Sequence, residues 1–202
     1  MVCFMNKNLS IRQFQKDIYR HYRAHGRVFS WRSERDPYKI FVSEVMLQQT
    51  QVGRVAGKYE DFIKTFPDFH ALAKASLAQV LRAWQGLGYN RRALFLKRAA
   101  REIVEKHGGE IPRQRGKLET LPGIGVATAC SIRVFAFSEP EVFIETNIRS
   151  VYLHFFFPKA KNIPDAKLLP LIEKTLDREN PREWYYVLMD YGASLKKRVG
   201  NP

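Results

Sequence analysis

The sequence predicts an all-α protein. Apolar residues recur at helical spacing along nearly the whole chain, the breaks between these stretches carry N-cap and glycine signals, and strand signals are weak. The segment nearest to a strand, Val142-Phe143-Ile144, is apolar but too short to build a sheet. About ten helices are expected on this periodicity. Ser10-Ile11-Arg12-Gln13 reads as a capping box ahead of Phe14, Ile18 and Tyr22. Asp36-Pro37 reads as the N-cap and first residue of a helix running to about Val52, and another runs from near Val55 to before Pro67. Ser76 and Gln79 cap a short helix with Leu77, Val80, Leu81 and Trp84 on one face. Residues 91–106 form a basic amphipathic helix stopped by Gly108-Gly109. Pro112 opens a short helix that breaks at Pro122-Gly123, and the next runs from about Val126 to Phe137. The last three are expected near 146–157, 167–178 and 182–195, with Pro170 blurring the start of the second and Asn180-Pro181 starting the third. No internal repeat or low-complexity segment interrupts this pattern.

The chain has 202 residues, 45% of them hydrophobic, which fits a folded protein of one or two domains and argues against disorder. No apolar run approaches the roughly 18 to 20 residues of a membrane helix. Met1 to Ser10 is too short and polar for a signal peptide, so a cytoplasmic protein is expected. Cys3 and Cys130, the two cysteines, make neither a disulfide framework nor a four-cysteine metal site. Lys and Arg number 34 against 20 Asp and Glu, a net charge of +14 that attracts polyanions. The charge gathers in residues 1–32, in Arg91, Arg92, Lys97, Arg98 and Arg101, and in Lys196-Lys197-Arg198. Any one cluster reads equally well as a solvated helix face; three of them favour nucleic acid.

Four segments carry candidate chemistry. In Ser43–Val52, Glu44, Gln48 and Gln51 fall on one helical face beside Ile40, Phe41, Val45, Met46 and Leu47. Desolvation at the edge of such a core favours the neutral acid and suits Glu44 to proton donation, although a surface Glu on an amphipathic helix is the plainer reading of spacing alone. Leu121-Pro122-Gly123-Ile124-Gly125-Val126-Ala127-Thr128 joins two helices. Its glycines let the backbone approach a ligand, and the amides opening the next helix suit a phosphate; an ordinary helix turn is the alternative. In Phe143–Arg149 a carboxylate, Glu145, opens a helix. Glu is a poorer N-cap than Asp, which hints at another task. In Trp84–Arg92 two glycines precede Tyr89, which suits a wedge between bases with Arg91 and Arg92 on phosphates, or else a core tyrosine beside solvated arginines.

In this order and spacing the four segments resemble the helix-hairpin-helix DNA glycosylases of the endonuclease III superfamily, most of all the MutY-type adenine DNA glycosylases. The likeness runs from about Trp31 to Gly192, through Trp31-Arg32, Pro37-Tyr38, the Ser43–Val52 stretch, Leu121–Gly125 and Met189-Asp190-Tyr191-Gly192-Ala193. The resemblance implies two helical domains flanking a DNA-binding cleft: residues 33–140 as a six-helix domain carrying the hairpin, and 1–32 with 141–202 as the second. It implies Glu44 and Glu145 as the catalytic pair across that cleft. Glu44 would donate a proton to the departing base, and Glu145, standing where the family has Asp, would stabilise the developing sugar cation. It also implies Gln48 and Tyr89 as wedges when the target base flips out. Gln49, Arg91, Leu121, Gly123, Gly125, Val126, Thr128 and Asn147 complete the implied DNA contacts, and the hairpin carbonyls admit a monovalent cation.

The sequence departs from the family at Glu145 and at three other points. Val126 stands where bifunctional relatives carry a lysine nucleophile, so lyase chemistry lacks an agent. The four cluster cysteines are missing, since Ser194-Leu195-Lys196-Lys197 follow instead and the given sequence stops at Pro202. The domain with which MutY proteins recognise 8-oxoguanine is missing as well. The implied protein is a monomeric, monofunctional glycosylase acting on double-stranded DNA with adenine opposite guanine or 8-oxoguanine, with no iron–sulfur cluster or other metal. The rivals are a thymine or uracil mismatch glycosylase, a non-catalytic DNA-binding homologue, and, less well supported by the residues, an RNA-binding helical module.

Overall fold

A computed structural model of the chain describes residues 9–158, 160 and 162–199. Cys3, most of the Met1–Ser10 stretch and Pro202 lie outside the described residues. Helix α1 (Ile11–His25) opens with Ser10 Oγ accepting from the Gln13 amide, and buries Phe14 and Ile18. The reciprocal half of the expected capping box goes elsewhere, because the Gln13 side chain donates to Asp17 at 2.9 Å. The chain then enters a separate unit, Phe29–Phe137, and returns at Ser138, so that residues 1–28 and 138–202 form the other unit.

The junctions lie three to four residues from those expected, at 28/29 and 137/138. Phe29 stacks on Trp31 at 4.8 Å, and Trp31 packs edge-on against Tyr59, so these aromatics belong to the central unit's core.

The central unit holds α2 (Ser30–Ser33), α3 (Pro37–Leu47), α4 (Val52–Ala56), α5 (Tyr59–Thr65), α6 (Phe69–Lys74), α7 (Leu77–Trp84), α8 (Arg91–His107), α9 (Arg115–Glu119) and α10 (Val126–Phe137). That is more than the six helices the resemblance implied, because α2, α4 and α9 are helices of only four or five residues and the stretch from Val52 to Pro67 is broken at Gly57-Lys58. Asp36 caps α3 through the Tyr38 amide at 2.9 Å, and Ser76 and Gln79 form a complete capping box on α7. Gly108, in left-handed backbone, ends α8. The core of this unit runs from Trp31 and Phe41 through Trp84, Leu96 and Ile103 to Leu118 and Ile132. Buried Phe41 and Ile40 make α3 apolar on most sides, which explains why its periodicity is weak as a guide to its end.

In the other unit α1 packs with α11 (Thr146–Phe156), α12 (Asp165–Thr175) and α13 (Pro181–Val199). Phe14 sits amid Tyr152, Phe155, Phe156 and Trp184, with ring centroids 5.0 to 5.8 Å away. Trp184, Val187, Leu188 and Leu195 are buried on α13, as are Leu168 and Ile172 on α12 and Leu176 just beyond it. Leu169 falls off the α12 stripe and is exposed. α12 starts two residues before its expected onset and accommodates Pro170 inside the helix. Gly192 lets α13 approach α11 closely, since a Cβ there would come within 2.7 Å of the Asn147 carbonyl carbon.

Candidate active site

Glu44 lies half-buried near the C-terminal end of α3, between the buried residues Ser43 and Val45. The helix does not continue to Val52 as the spacing suggested. It stops at Leu47, and Gln49 takes a left-handed φ of 53° before Gln51 caps α4. Glu44, Gln48 and Gln51 therefore do not share one helical face. Gln48 turns toward the hairpin, where its amide nitrogen donates to the Gly123 carbonyl (3.2 Å) and the Thr128 hydroxyl (3.1 Å). Gln49 and Gln51 are exposed, whereas Gln48 is half-buried.

What ends α3 is Arg92. Arg92 is only 8% exposed, and its guanidinium reaches six acceptors. Nη1 donates to the carbonyls of Val45 (3.1 Å), Met46 (2.9 Å) and Gln48 (2.5 Å). Nη2 donates to Thr50 Oγ1 (2.6 Å) and to the carbonyls of Leu87 (3.2 Å) and Gly88 (3.1 Å). The expectation that Arg92 binds phosphate is thus corrected: it satisfies orphan carbonyls at a helix end and in a loop. Arg91 remains exposed, with its guanidinium 5.0 Å from the Phe95 ring.

The loop beyond α7 is held from below, where Trp84 Nε1 donates to the Gly88 carbonyl at 3.0 Å and Leu87 is buried. Gly86 and Gly88 both have positive φ, and Tyr89 follows with φ 48° and 64% exposure. Tyr89 is therefore a presented aromatic, not a core residue.

In the hairpin, Leu121 is 2% exposed, so its side chain anchors the turn and only its backbone can face a ligand. Gly123 is required there: φ is +79°, and a Cβ would lie 2.9 Å from the Phe95 Cβ. Gly125 differs, because nothing lies within 4 Å of the Cβ it lacks. Its carbonyl accepts from the Ala129 amide at 2.9 Å as α10 begins. Val126 stands exposed (59%) on the first turn, whose amides lack helical acceptors. Thr128 is half-buried under Gln48. Gly125→Asp places a negative charge at this turn without backbone strain. It is expected to weaken binding to every duplex by roughly tenfold at low salt, with Gly125→Ala near the parent, because phosphate contacts carry little sequence information. Titrations of matched and mismatched duplexes check this; a loss confined to one mismatch contradicts it.

In the other unit Glu145 caps α11, contrary to the expectation that a glutamate would overshoot. Its extended backbone lets Oε1 fold back onto the amides of Asn147 and Ile148, both at 2.8 Å, while Oε2 accepts from Asn147 Nδ2 at 3.2 Å. Asn147 is thus tied to Glu145. Burial pushes the Glu145 carboxyl above the usual carboxylate range, against the opposing pull of these amides and of Lys196.

The profile of the family described as "HhH-GPD superfamily base excision DNA repair protein" matches residues 42–174. The chain belongs to this superfamily. Among its relatives are the adenine DNA glycosylases of Buchnera aphidicola subsp. Baizongia pistaciae, 34% identical over 187 residues (90% of this chain, 52% of that protein), and of Mycobacterium tuberculosis, 36% identical over 181 residues (86% and 59%). The chain spans about half the length of these curated relatives. A solved thermostable thymine-DNA glycosylase superposes with a TM-score of 0.81 at 27% identity, covering 91% of this chain and 86% of that one.

Within this HhH-GPD chain the fold gathers Gln48, Thr128 and Gly123 into one hydrogen-bonded group and presents Gln49, Tyr89, Arg91, Gly125 and Val126 to solvent. The residues missed in the sequence were Arg92 as a structural clasp and Thr50 as its partner. Arg92 occupies the buried stripe of α8 with Leu96, Ala99 and Ile103, a spacing that could have revealed it. Among the described residues no group of His, Cys, Asp or Glu is arranged to hold a metal ion, and no helix is long and apolar enough to cross a membrane.

Proposed function

We propose that this chain is a monofunctional DNA glycosylase that excises adenine mispaired with guanine or 8-oxoguanine in double-stranded DNA, acting as a cytoplasmic monomer. The observation that carries this reading is the Ser43–Val52 segment, with Glu44 half-buried on α3, in a chain whose curated relatives include several adenine DNA glycosylases. Glu44 donates a proton to adenine as the bond from sugar to base breaks and the bonding pair leaves with the base. Glu145 as carboxylate stabilises the cation on the sugar, and water then adds to it and gives up a proton, which balances the one Glu44 donated, leaving an abasic site. Val126 at the head of α10 offers no amine to form a Schiff base at that position, so the strand is expected to stay intact.

An iron–sulfur cluster does not fit these residues. A cluster of this kind takes four thiolates, Cys130 is buried in α10, and the stretch after Gly192 reads Ala, Ser, Leu, Lys, Lys, Arg. The purified chain is expected to be colourless and iron-free, with α13 held by its buried Trp184, Val187, Leu188 and Leu195. Absorbance near ~400 nm with stoichiometric iron, or unfolding on chelation, contradicts this.

A second reading, a thymine mismatch glycosylase, is favoured by the thymine-DNA glycosylase structure, of which this chain covers 86%. Incubation with duplexes carrying A, T or U opposite G or 8-oxoguanine decides between them. Alkali-dependent cleavage at A supports the adenine reading, cleavage at T or U supports the second, and cleavage without alkali contradicts the absence of a lyase step.

A further inference from the structure

Gln49 and Tyr89 sit forty residues apart in the chain, yet they share two unusual properties. Both are exposed, and both hold left-handed backbone, at φ 53° and 48° respectively, without being glycine. Such conformations persist only where the surroundings impose them. The surroundings here are common to both: the segment Val45–Thr50 before and around Gln49, and Leu87-Gly88 before Tyr89, are bound by the one buried guanidinium of Arg92. Thr50 adds a direct link, its hydroxyl lying 2.6 Å from Arg92 Nη2 and 3.2 Å from the Leu87 carbonyl. Arg92 also lies 5.6 Å from the Tyr89 ring centre.

We propose that Arg92 is the positioning residue of the mispair-reading surface, locking the Gln49 turn to the Tyr89 turn so that the two exposed side chains meet the base stack as one rigid pair. This rests on the glycosylase reading above. The planar fork of arginine spans both turns at once, with Nη1 on one and Nη2 mostly on the other; a lysine offers a single nitrogen and can hold only part of the set. The clasp uses neutral oxygens alone, so every one of its bonds goes to the geometry of the two turns and none to an acidic partner.

The test uses a duplex with 2-aminopurine in place of the mispaired adenine, whose fluorescence rises when the base leaves the stack, together with affinities for mispaired and fully paired duplexes. The parent raises the fluorescence. Arg92→Ala is expected to lose most of that rise and to lower the preference for the mispair by about tenfold, with paired-duplex affinity within about twofold of the parent. Arg92→Lys recovers part of the loss. The variant lacking both Arg92 and Tyr89 side chains is expected to do no worse than Tyr89→Ala alone, the non-additivity of groups that act as a unit. If Arg92→Ala does not fold, Thr50→Val, close in shape and lacking the bridging hydroxyl, is expected to show the same selective loss. Parent-like fluorescence and preference in a folded Arg92→Ala, or in Thr50→Val, overturns the inference. So does strict additivity with Tyr89→Ala. A parent that extrudes the base without releasing adenine fails the glycosylase reading alone, and a parent that leaves 2-aminopurine stacked overturns both.

Discussion

Glu44→Gln is expected to bind mispaired duplex with nearly the affinity of the parent and to release adenine slower by roughly 10²-fold or more, the scale of a lost general acid. The substitution is close to isosteric, and Glu44 lies half-buried on α3 between buried Ser43 and Val45, so the variant is expected to fold as the parent does. The amide can still accept and donate hydrogen bonds, but it cannot give up a proton to the departing base. Affinity and single-turnover base release, measured on the same preparation, separate the two effects. Near-parent release by Glu44→Gln removes this residue from the chemistry.

Glu145 has two roles to separate, the observed cap of α11 and the proposed part as second carboxylate. Glu145→Gln keeps an oxygen for the amides of Asn147 and Ile148 and removes the charge. It is expected to lose base release by roughly 10²-fold, the order of one lost electrostatic stabiliser, while melting near the parent. Glu145→Ala should lose the same activity and about 1 kcal/mol of stability as well, the typical worth of an N-cap. Glu145→Asp retains the cap and is expected to keep or raise activity. The pH dependence follows from burial. With its folded pKa raised, Glu145 takes up a proton on acidification earlier than an ordinary carboxyl. Its proposed part in catalysis is therefore expected to be lost as pH falls through a value above the usual range. The linked stability has the opposite sense: it is present in acid and lost as pH rises through the folded pKa, so the ionised carboxylate costs stability at neutral pH. A Glu145→Gln variant as active as the parent would leave this residue as a cap only.

Much of the fold was legible because local rules agreed with it. The Asp36-Pro37 start, the Ser76 capping box and the Gly108 stop are contacts within a few residues, and each stands where the sequence placed it. The end of α3 was not legible in the same way. Gln48, Gln49 and Gln51 are good helix formers, and what breaks the helix is an arginine more than forty residues away that captures the carbonyls of Val45, Met46 and Gln48. The same long-range contact decides that Gln49, and not Gln48, faces outward. Glu145 was misjudged for a different reason. An average capping preference says little about a half-buried side chain whose extended backbone lets it fold back. For Tyr89 the structure selects the exposed loop over the core position that the sequence left open, and Gly123 forms a turn, since glycines at positive φ flank or form both turns and leave few other conformations.

The central claim is that this chain hydrolyses the bond between adenine and its sugar and does nothing further to the strand. Mass spectrometry of a single-turnover reaction on a duplex with one adenine opposite 8-oxoguanine tests it most directly. The predicted result is free adenine in amount equal to an unbroken strand with one abasic site, and no protein–DNA adduct after borohydride. Release of another base, a nicked strand or a trapped adduct would contradict it.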